Sequence, residues 1–524
     1  MSEEKWFDKS LILKDGTELV SRIWIPAGEG PWPALLMRQP YGRELASTIT
    51  YSHPSWWASK GYMVIIQDVR GLGSSGGVFQ GFSQEASDTS QTHEWVRSLK
   101  ECNGMLGLYG FSYQGLTQLT GEDYSKPPDC LSPAMTGINI REHWCSDGGA
   151  FWWHNNIAWG LQIAALKLKK ENNFQGWEEI RLSLENKSYL RNGLNLLKKY
   201  DSKSFVIEWL NILENEDPFF KIEPLSSWIK KPMLIIGGLW DPHLKGALDL
   251  YIRSIKQGGN PEIIIGNATH LDWWKGSQKT LLNFFNKHLK ENNTSDDKNN
   301  FKNKKIWNIS LNKWNDLEDN HEQELLFGLK SNGSANFEVL DGTLTINKKG
   351  SGSLTIVHDP WRPAPSDGGH LGPNPGSFKR NIIDNRLDIG VFQTYFFKED
   401  HNLKGIPILE TSVISDQSNF DICLALSLVD KNNDVNQFST GFLRVKNSKK
   451  NESSNYVITM QPTNISLTKG TRLRLSISAA AYPSIGVNPG FGKGNIGAPS
   501  INHKIITLNF ELKKTFMKMT PFFT

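Results

Sequence analysis

A serine flanked by glycines constrains the fold of this chain more than any other feature. Residues 108–115 read Leu-Tyr-Gly-Phe-Ser-Tyr-Gln-Gly, an apolar run that ends at Ser112 and continues into residues compatible with a helix. The pattern predicts a strand, a sharp turn and a helix, with the serine hydroxyl projecting beyond the strand, so Ser112 is a candidate nucleophile. The usual form of this turn is G-x-S-x-G, and here the second glycine is displaced by one residue, to Gly115. Because serine is also a favoured N-cap residue, a plain helix start is the alternative.

Apolar runs alternate with helical patterns through the first 140 residues. Residues 33–37 and 62–67 are continuous apolar runs, and residues 88–99 have the periodicity of a helix. Residues 10–26 alternate around an Asp-Gly turn, as a hairpin does. This order predicts a mostly parallel sheet covered on both faces, with the Ser112 turn at its carboxyl edge.

Two later strands deliver further polar residues. The apolar run at 232–238 is followed by Asp241, and the run at 262–266 is followed by His270. Ser112, Asp241 and His270 then occur in the order nucleophile, acid, base, which is the order found in α/β-hydrolases. The order predicts acyl transfer in which the histidine accepts the serine proton and the aspartate orients the imidazole. Competing candidates that follow less directly on a strand are His243, Asp249 and Asp272.

The glycines within residues 68–77 match a nucleotide-binding pattern. Gly71, Gly73 and Gly76 satisfy G-x-G-x-x-G. In a dinucleotide site this loop opens a helix directly, whereas here loop residues continue to residue 81 and helical residues begin near Gln84. We therefore expect no nucleotide. The four cysteines are far apart and show no C-x-x-C spacing, so we expect neither a metal nor any other cofactor.

The alternation of strand and helix patterns ends after residue 140. Residues 141–230 are helical and rich in tryptophan, which predicts a helical cap inserted into a catalytic domain formed by residues 1–140 and 231–290. Residues 291–303 are polar and aperiodic and are predicted to be a linker. Short alternating runs over residues 304–524 predict a β-sandwich or jelly roll. Candidates for a substrate pocket in the cap are Trp144, Trp152 and Trp153, although tryptophans in helices more often fill a core.

Composition argues against several classes of partner. The chain has 524 residues, a formal net charge of +4 and 21% charged residues, so nothing drives it toward nucleic acid or a membrane surface. Its first residues lack the pattern of a signal peptide, and no stretch is long and apolar enough to span a bilayer. We expect a cytoplasmic protein that acts on a small molecule. Whether it is a monomer or a homo-oligomer stays open.

Together these motifs resemble an acyl-hydrolase family that includes cocaine esterase, cephalosporin acylases, α-amino-acid ester hydrolases and Xaa-Pro dipeptidyl-peptidases. Residues 110–115 match the family's displaced motif G-x-S-Y-x-G, and residues 38–41 resemble its R-x-P-Y. Residues 68–77 match D-x-R-G-x-G-x-S-x-G at every fixed position. The resemblance runs through most of the chain.

The resemblance implies a fold and a site. The implied fold is an α/β-hydrolase domain with a helical cap, followed by an all-β jelly-roll (galactose-binding-like) C-terminal domain. The implied oxyanion hole consists of the Tyr41 hydroxyl and the backbone N–H of Tyr113, and no cofactor is implied. Where the family often has G-x-W-S-H, residues 266–270 read Gly-Asn-Ala-Thr-His, so substrate details do not transfer.

Three functions follow from these patterns. The first is a serine hydrolase that cleaves esters or amides of a small substrate. The second is a dipeptidyl-peptidase acting on short peptides, which needs acidic residues for a free amino terminus that the sequence does not identify. The third is a non-catalytic protein that binds carbohydrate through the jelly roll, and the presence of Ser112, Asp241 and His270 argues against it.

Overall fold

The structure is a computed structural model that describes residues 5–45, 50–290, 304–317, 325–492 and 497–523. The predicted linker at 291–303 lies outside the described residues. Strands of the first half, in chain order, are β1 (Trp6–Ile12), β2 (Glu18–Trp24), β3 (Trp32–Gln39), β4 (Met63–Asp68), β5 (Cys102–Phe111), β6 (Cys130–Ala134), β7 (Ser146–Asp147), β8 (Ala150–Phe151), β9 (Leu234–Gly238), β10 (Glu262–Gly266), β11 (Lys304–Asn308) and β12 (Lys313–Asp316).

All but β7 and β8 of these strands form one sheet, in the order β1-β2-β4-β3-β5-β6-β9-β10-β11-β12. The strands from β4 to β11 pair in parallel, and the predicted hairpin of β1 and β2 pairs antiparallel at one edge. The carboxyl ends of β3, β5, β9 and β10 therefore meet at one edge of the sheet. Tyr41, Ser112, Asp241 and His270 follow these four strands.

Helices cover both faces of the sheet. They are α1 (Pro54–Ser59), α2 (Glu85–Ser98), α3 (Tyr113–Leu116), α4 (Trp153–Lys170), α5 (Phe174–Glu185), α6 (Tyr189–Tyr200), α7 (Phe205–Asn215), α8 (Ser226–Ile229), α9 (Leu244–Lys256) and α10 (Ser277–Leu289). Successive strand residues point to opposite faces, so Leu36 and Ile65 join one apolar cluster while Leu35 and Val64 join another. No helix in the described part of the chain has the length and apolar character needed to cross a membrane.

Helices α4 to α7 lie within the predicted cap, but the segment before them differs from the prediction. Instead of continuous helix from residue 141, the chain forms a short π-helical turn at Arg141–Cys145 and the hairpin of β7 and β8. The hairpin joins the C-terminal half of the chain, because the Arg444 N–H donates to the Gly148 carbonyl oxygen and Trp152 forms a β-bridge with Ile485. Long-range backbone pairing thus overrides the local helical pattern.

The second half of the described chain is all β. Its strands are β13 (Leu326–Asn332), β14 (Thr343–Ile346), β15 (Ser351–His358), β16 (Phe378–Lys379), β17 (Ile389–Gln393), β18 (His401–Ser415), β19 (Phe420–Val429), β20 (Val435–Val445), β21 (Ser453–Thr459), β22 (Thr463–Leu467), β23 (Arg472–Ser478), β24 (Ile506–Glu511) and β25 (Phe516–Thr520). Most pairings are antiparallel, and side chains of β18 alternate between buried and partly exposed, as in a jelly roll.

One predicted boundary differs from the structure. The sequence places the start of the β-rich part at residue 304, but β11 pairs in parallel with β10 and antiparallel with β12, so both belong to the first sheet. Ile306 is buried against that sheet. A short β-strand has the same local pattern in either sheet, and only its pairing decides where it belongs. The β-rich part therefore begins after residue 317.

Candidate active site

Ser112 occupies a sharp turn between β5 and α3. Its backbone angles are φ 58° and ψ −127°, in a region that residues other than glycine rarely adopt. Holding such a conformation costs on the order of 1–3 kcal/mol, and strain of this kind is concentrated at functional sites. Two glycines permit the turn: a Cβ at Gly110 would lie 2.4 Å from the Cβ of Gln114, and one at Gly115 would lie 2.8 Å from the Ala134 carbonyl oxygen. The displaced glycine of the motif is thus the point where the helix passes close to β6.

Asp241 and His270 form a close pair beyond the ends of β9 and β10. The His270 Nδ1 lies 2.5 Å from the Asp241 Oδ2, and the other carboxylate oxygen accepts the His243 N–H at 2.9 Å. Burial alone would raise the pKa of Asp241, but the charge and hydrogen bond of His270 outweigh burial and lower it. The Asp241 carboxylate therefore accepts a hydrogen bond from the Nδ1 of His270, so Nδ1 carries a proton. The other ring nitrogen, Nε2, takes no part in this pair. The aspartate is 0% exposed, whereas the histidine side chain is 28% exposed.

The histidine lies beside the serine turn. The ring of Phe111, the residue before Ser112, has its centroid 5.2 Å from that of the His270 imidazole, in an edge-to-face arrangement. The structure therefore places the Asp241–His270 pair beside the turn that carries Ser112, at the edge where the sequence predicts a site. The serine residue is 7% exposed.

The competing candidates lie in different positions. Asp249 is on α9 and accepts a 3.0 Å hydrogen bond from Arg253 on the same helix, and Asp272 is on an exposed turn. His243 is close, with its ring centroid 5.2 Å from that of His270. However, its Nδ1 donates to the His143 carbonyl oxygen at 2.6 Å, and burial lowers its pKa to about 4. His243 thus supports the Asp241 loop as a neutral side chain.

Tyr41 and the Tyr113 N–H are the candidate oxyanion donors. Burial raises the pKa of Tyr41, so its hydroxyl keeps its proton and can donate. The indole of Trp159 lies near this hydroxyl but makes no hydrogen bond of normal geometry with it. Tyr113 is the first residue of α3, where backbone N–H groups have no partner within the helix. The residue after the nucleophile is the usual source of one oxyanion donor in this kind of turn.

A buried ionic network lies next to Tyr113 and to the strand that precedes Tyr41. The Tyr113 hydroxyl donates to Glu85 at 2.6 Å, and the Arg38 Nη1 donates to the other oxygen of that carboxylate at 2.6 Å. Arg38 is the penultimate residue of β3 and lies three residues before Tyr41, so the network links the strand that precedes Tyr41 to the turn that carries Ser112. Glu85 was not predicted from the sequence, because an acidic residue in the first turn of a helix is common and its burial is visible only in the structure.

Aromatic side chains pack around His243, and two of the predicted pocket residues, Trp144 and Trp152, are buried there, at 2% and 3% exposure. The ring centroids of Trp144 and Trp152 lie 4.4 and 5.6 Å from that of His243. The sequence also predicts Trp153 as a pocket residue. Its indole N–H donates to the Leu190 carbonyl oxygen at 2.8 Å, and its ring is fully buried between the cap and the C-terminal half.

Two further aromatic residues, Trp159 and Phe82, pack against Trp144 and were not predicted from the sequence. We call Trp144, Trp152, Trp159 and Phe82 together the aromatic wall. Trp159, beside Tyr41, has its ring centroid 5.8 Å from that of Trp144, and Phe82 stacks on Tyr113 at 4.8 Å. Trp159 lies on the same helical cap as the predicted tryptophans, but only tertiary packing turns it toward Tyr41. Within the described residues, no cluster of three or more histidine, cysteine or acidic side chains is arranged to hold a metal ion.

Two family models match adjacent parts of the chain. Residues 15–272 match the family model described as X-Pro dipeptidyl-peptidase (S15 family), and residues 285–511 match the model of the X-Pro dipeptidyl-peptidase C-terminal non-catalytic domain. The chain is 24% identical over 425 residues to cocaine esterase of Rhodococcus sp. (strain MB1 Bresler), which covers 73% of each protein.

Solved structures share the fold over nearly the whole chain. An aminopeptidase from a marine sediment archaeon, Thaumarchaeota archaeon, superposes with a TM-score of 0.72 at 17% identity, covering 98% of this chain and 96% of that one. An α-amino acid ester hydrolase superposes with a TM-score of 0.71 at 17% identity, covering 99% and 97%. With an α/β-hydrolase sheet, a β-rich C-terminal half and two adjacent family matches, the chain belongs to the X-Pro dipeptidyl-peptidase (S15) family of serine hydrolases.

Proposed function

We propose that the chain hydrolyses acyl esters or amides of a small substrate through an acyl-enzyme on Ser112. The observation that carries the proposal is the combination of a strained serine at the end of β5 with the 2.5 Å contact between Asp241 and His270. Strain at a serine in a turn formed with closely packed glycines is typical of a nucleophile whose hydroxyl projects from the end of a strand.

The proposed reaction begins at the serine. His270 Nε2 takes the proton of the Ser112 hydroxyl as the oxygen attacks the substrate carbonyl carbon, and Asp241 stabilises the imidazolium that forms. The tetrahedral oxyanion accepts hydrogen bonds from the Tyr41 hydroxyl and the Tyr113 N–H. Collapse expels the leaving group, which takes the proton from His270. Water then attacks the acyl-enzyme by the same sequence of proton transfers and releases the acid.

The side chains around the site indicate the class of substrate. Trp144 and Trp152 are buried in the apolar core, and Trp159 packs against that core beside Tyr41, so the surroundings of the site are apolar and suit an aromatic or aliphatic acyl group. Two nearby buried carboxylates already have partners, since Glu85 binds Arg38 and Tyr113. Asp147 binds Lys245. Neither of these two carboxylates is free to pair with a peptide amino terminus, so we favour a neutral acyl group over a dipeptide.

The dipeptidyl-peptidase function remains the second candidate because both family models carry that description. A panel of p-nitrophenyl acyl esters and Xaa-Pro p-nitroanilides, assayed with one enzyme preparation, separates the two. We expect higher kcat/KM on the esters with neutral acyl groups. Preferential cleavage of the Xaa-Pro anilides with a free amino terminus would establish the second candidate instead.

The nucleophile is tested by Ser112→Ala. We expect the variant to fold, since one buried oxygen is lost, and its kcat on p-nitrophenyl acetate to fall by about three orders of magnitude or more. It should also lose covalent labelling by a fluorophosphonate. Ser125→Ala, which removes another buried serine hydroxyl outside the site, is the matched control and should keep both. Activity of Ser112→Ala above about a tenth of the native value would exclude Ser112 as nucleophile.

A further inference from the structure

Gln461 lies between β21 and β22 in the C-terminal half and contacts the loop that carries Asp241. The residue is 1% exposed. Its Nε2 donates hydrogen bonds to the carbonyl oxygens of Asp241, at 2.9 Å, and Leu239, at 3.4 Å. Because both partners are acceptors, the amide must present its NH2 group to the loop. The Gln461 side chain thereby holds the backbone carbonyl groups on both sides of residue 240, and we call these two hydrogen bonds the clamp.

The backbone of Gln461 is fixed independently of this contact. Its N–H donates to the Thr440 carbonyl oxygen at 2.8 Å, and its own carbonyl oxygen accepts the Ser439 hydroxyl at 2.7 Å. Both partners belong to β20. Gln461 is therefore bound to β20 through its backbone and to the Asp241 loop through its side chain.

The clamped loop also contacts the segment that leads to His270. The Leu239 N–H donates to the Gly266 carbonyl oxygen, and the Trp240 N–H donates to that of Ala268, each at 3.0 Å. Gly266 and Ala268 precede His270 by four and two residues. The backbone of residues 239–241 therefore lies between the histidine segment and Gln461, and a shift of this backbone would change the geometry of the Asp241–His270 pair.

A second set of contacts ties the other end of the loop to β20. Lys245, in the first turn of α9, lies 2.6 Å from Asp147, and the second oxygen of that carboxylate lies 3.0 Å from the His370 Nε2. The His370 Nδ1 in turn lies 3.0 Å from the Thr440 hydroxyl. Residues 239–245 are thus connected at both ends to the same strand of the C-terminal half.

We propose that Gln461 is a positioning residue for the Asp241–His270 pair, so that the C-terminal half takes part in catalysis by fixing the aspartate. The proposal rests on the proposed function of Ser112, Asp241 and His270. It differs from a purely structural role in one respect: loss of the clamp should lower the rate of the chemical step and leave substrate binding unchanged, because Gln461 acts on the proton-accepting pair and not on the aromatic wall.

The first test is Gln461→Met, which keeps the length of the side chain and removes the donor. The Oε1 of Gln461 has no partner among the described residues, so no acceptor function is lost. We expect kcat on p-nitrophenyl acetate, and the rate of fluorophosphonate labelling, to fall about tenfold with KM unchanged, a loss equivalent to roughly 1.4 kcal/mol. Gln461→Asn, whose amide is one methylene shorter, should give the same pattern and serves if the methionine variant does not fold.

The control is Gln393→Met. Gln393 is also a buried glutamine of the C-terminal half, in β17, where it accepts a 3.0 Å hydrogen bond from Arg474. Its loss removes a buried hydrogen bond at a distance from the Asp241 loop, so we expect a lower thermal midpoint with native kcat. An equal fall of kcat in Gln393→Met would overturn the proposal, because the effect would then reflect general destabilisation.

The decisive measurement is a double-mutant cycle with Asp241→Asn. If Gln461 acts through the aspartate, Gln461→Met should change kcat by less than about twofold in the Asp241→Asn background. An undiminished tenfold loss there would overturn the positioning role. Ser112→Ala, assayed in parallel, separates the two claims: a fully active Ser112→Ala enzyme refutes the proposed function, whereas an inactive one with an additive cycle refutes only the role of Gln461.

Discussion

The guanidinium of Arg38 lies 2.6 Å from the carboxylate of Glu85, and both side chains are closed to solvent, at 2% and 0% exposure. Burial raises the pKa of Glu85 despite the opposing charge of Arg38. Arg38 also donates to Gln67 at 2.8 Å and to Thr89 at 2.5 Å, whereas its Nη2 has no partner among the described residues. The charged pair connects the strand before Tyr41 to the hydroxyl of Tyr113, which begins the helix after Ser112.

Removing one partner of this pair should destabilise the fold strongly. Arg38→Met or Glu85→Met leaves an unpaired charge in the interior, and such changes typically cost about 3–5 kcal/mol. The double variant removes both charges and should lose much less than the sum of the two single losses. Urea unfolding midpoints of the four proteins test this. Strictly additive losses would mean that the two side chains stabilise the fold independently.

Tyr41→Phe should lower kcat. The change removes a donor that acts where negative charge develops, and one oxyanion donor is typically worth about two to three orders of magnitude in kcat. Because phenylalanine keeps the ring, contacts with bound substrate persist and KM should change little. Steady-state kinetics on p-nitrophenyl acetate decide the matter, with Tyr200→Phe in the exposed part of the cap as the control. A native kcat with an altered KM would make Tyr41 a substrate-packing residue instead.

Asp241→Asn and Asp249→Asn form a matched pair. The asparagine at position 241 keeps the shape of the side chain but favours the wrong histidine tautomer, which in a serine triad lowers kcat by about 10⁴. Asp249 accepts from Arg253 along α9, so its replacement should leave kcat near native. Comparing kcat of the two variants identifies the acid. A larger loss for Asp249→Asn would transfer the orienting role to that residue.

Buried histidines should make the protein less stable in mild acid. Burial lowers the pKa of His93 well below its usual value, and it lowers that of His358 to about 4. Below about pH 6.5 the unfolded chain binds protons at these positions and the folded chain does not, so the free energy of unfolding falls as the pH falls from 6.5 toward 4. Each such histidine contributes a slope of up to about 1.4 kcal/mol per pH unit.

His93→Phe isolates one of these contributions. The variant keeps a ring stacked on Trp228, whose centroid lies 5.1 Å away, and removes the ionisable group. Urea unfolding midpoints measured from pH 7 to pH 5 should decline less steeply than those of the native protein. An unaltered slope in His93→Phe would show that this side chain is protonated in the folded protein as well.

The candidate triad was visible in the sequence because its signals are local. A continuous apolar run predicts a buried strand, and in a parallel sheet the residues after such strands meet at one edge, so Ser112, Asp241 and His270 could be assigned to one site before any contact was known. The glycine displaced to position 115 was also local information. Its reason, the 2.8 Å approach of its Cβ position to the Ala134 carbonyl oxygen, required the structure.

Tertiary structure alone decided which distant residues surround that edge. Trp159 was one of several tryptophans until the cap placed it beside Tyr41, and Gln461 is a polar residue in a β-rich region until its amide meets the Asp241 loop, 220 positions away in the chain. The sequence pattern of the strand at 304–308 would suit either sheet. This strand joins the first sheet because it forms backbone hydrogen bonds with β10. Local patterns fix which elements form, whereas long-range backbone pairing and burial select their partners, because both depend on residues that are far apart in sequence.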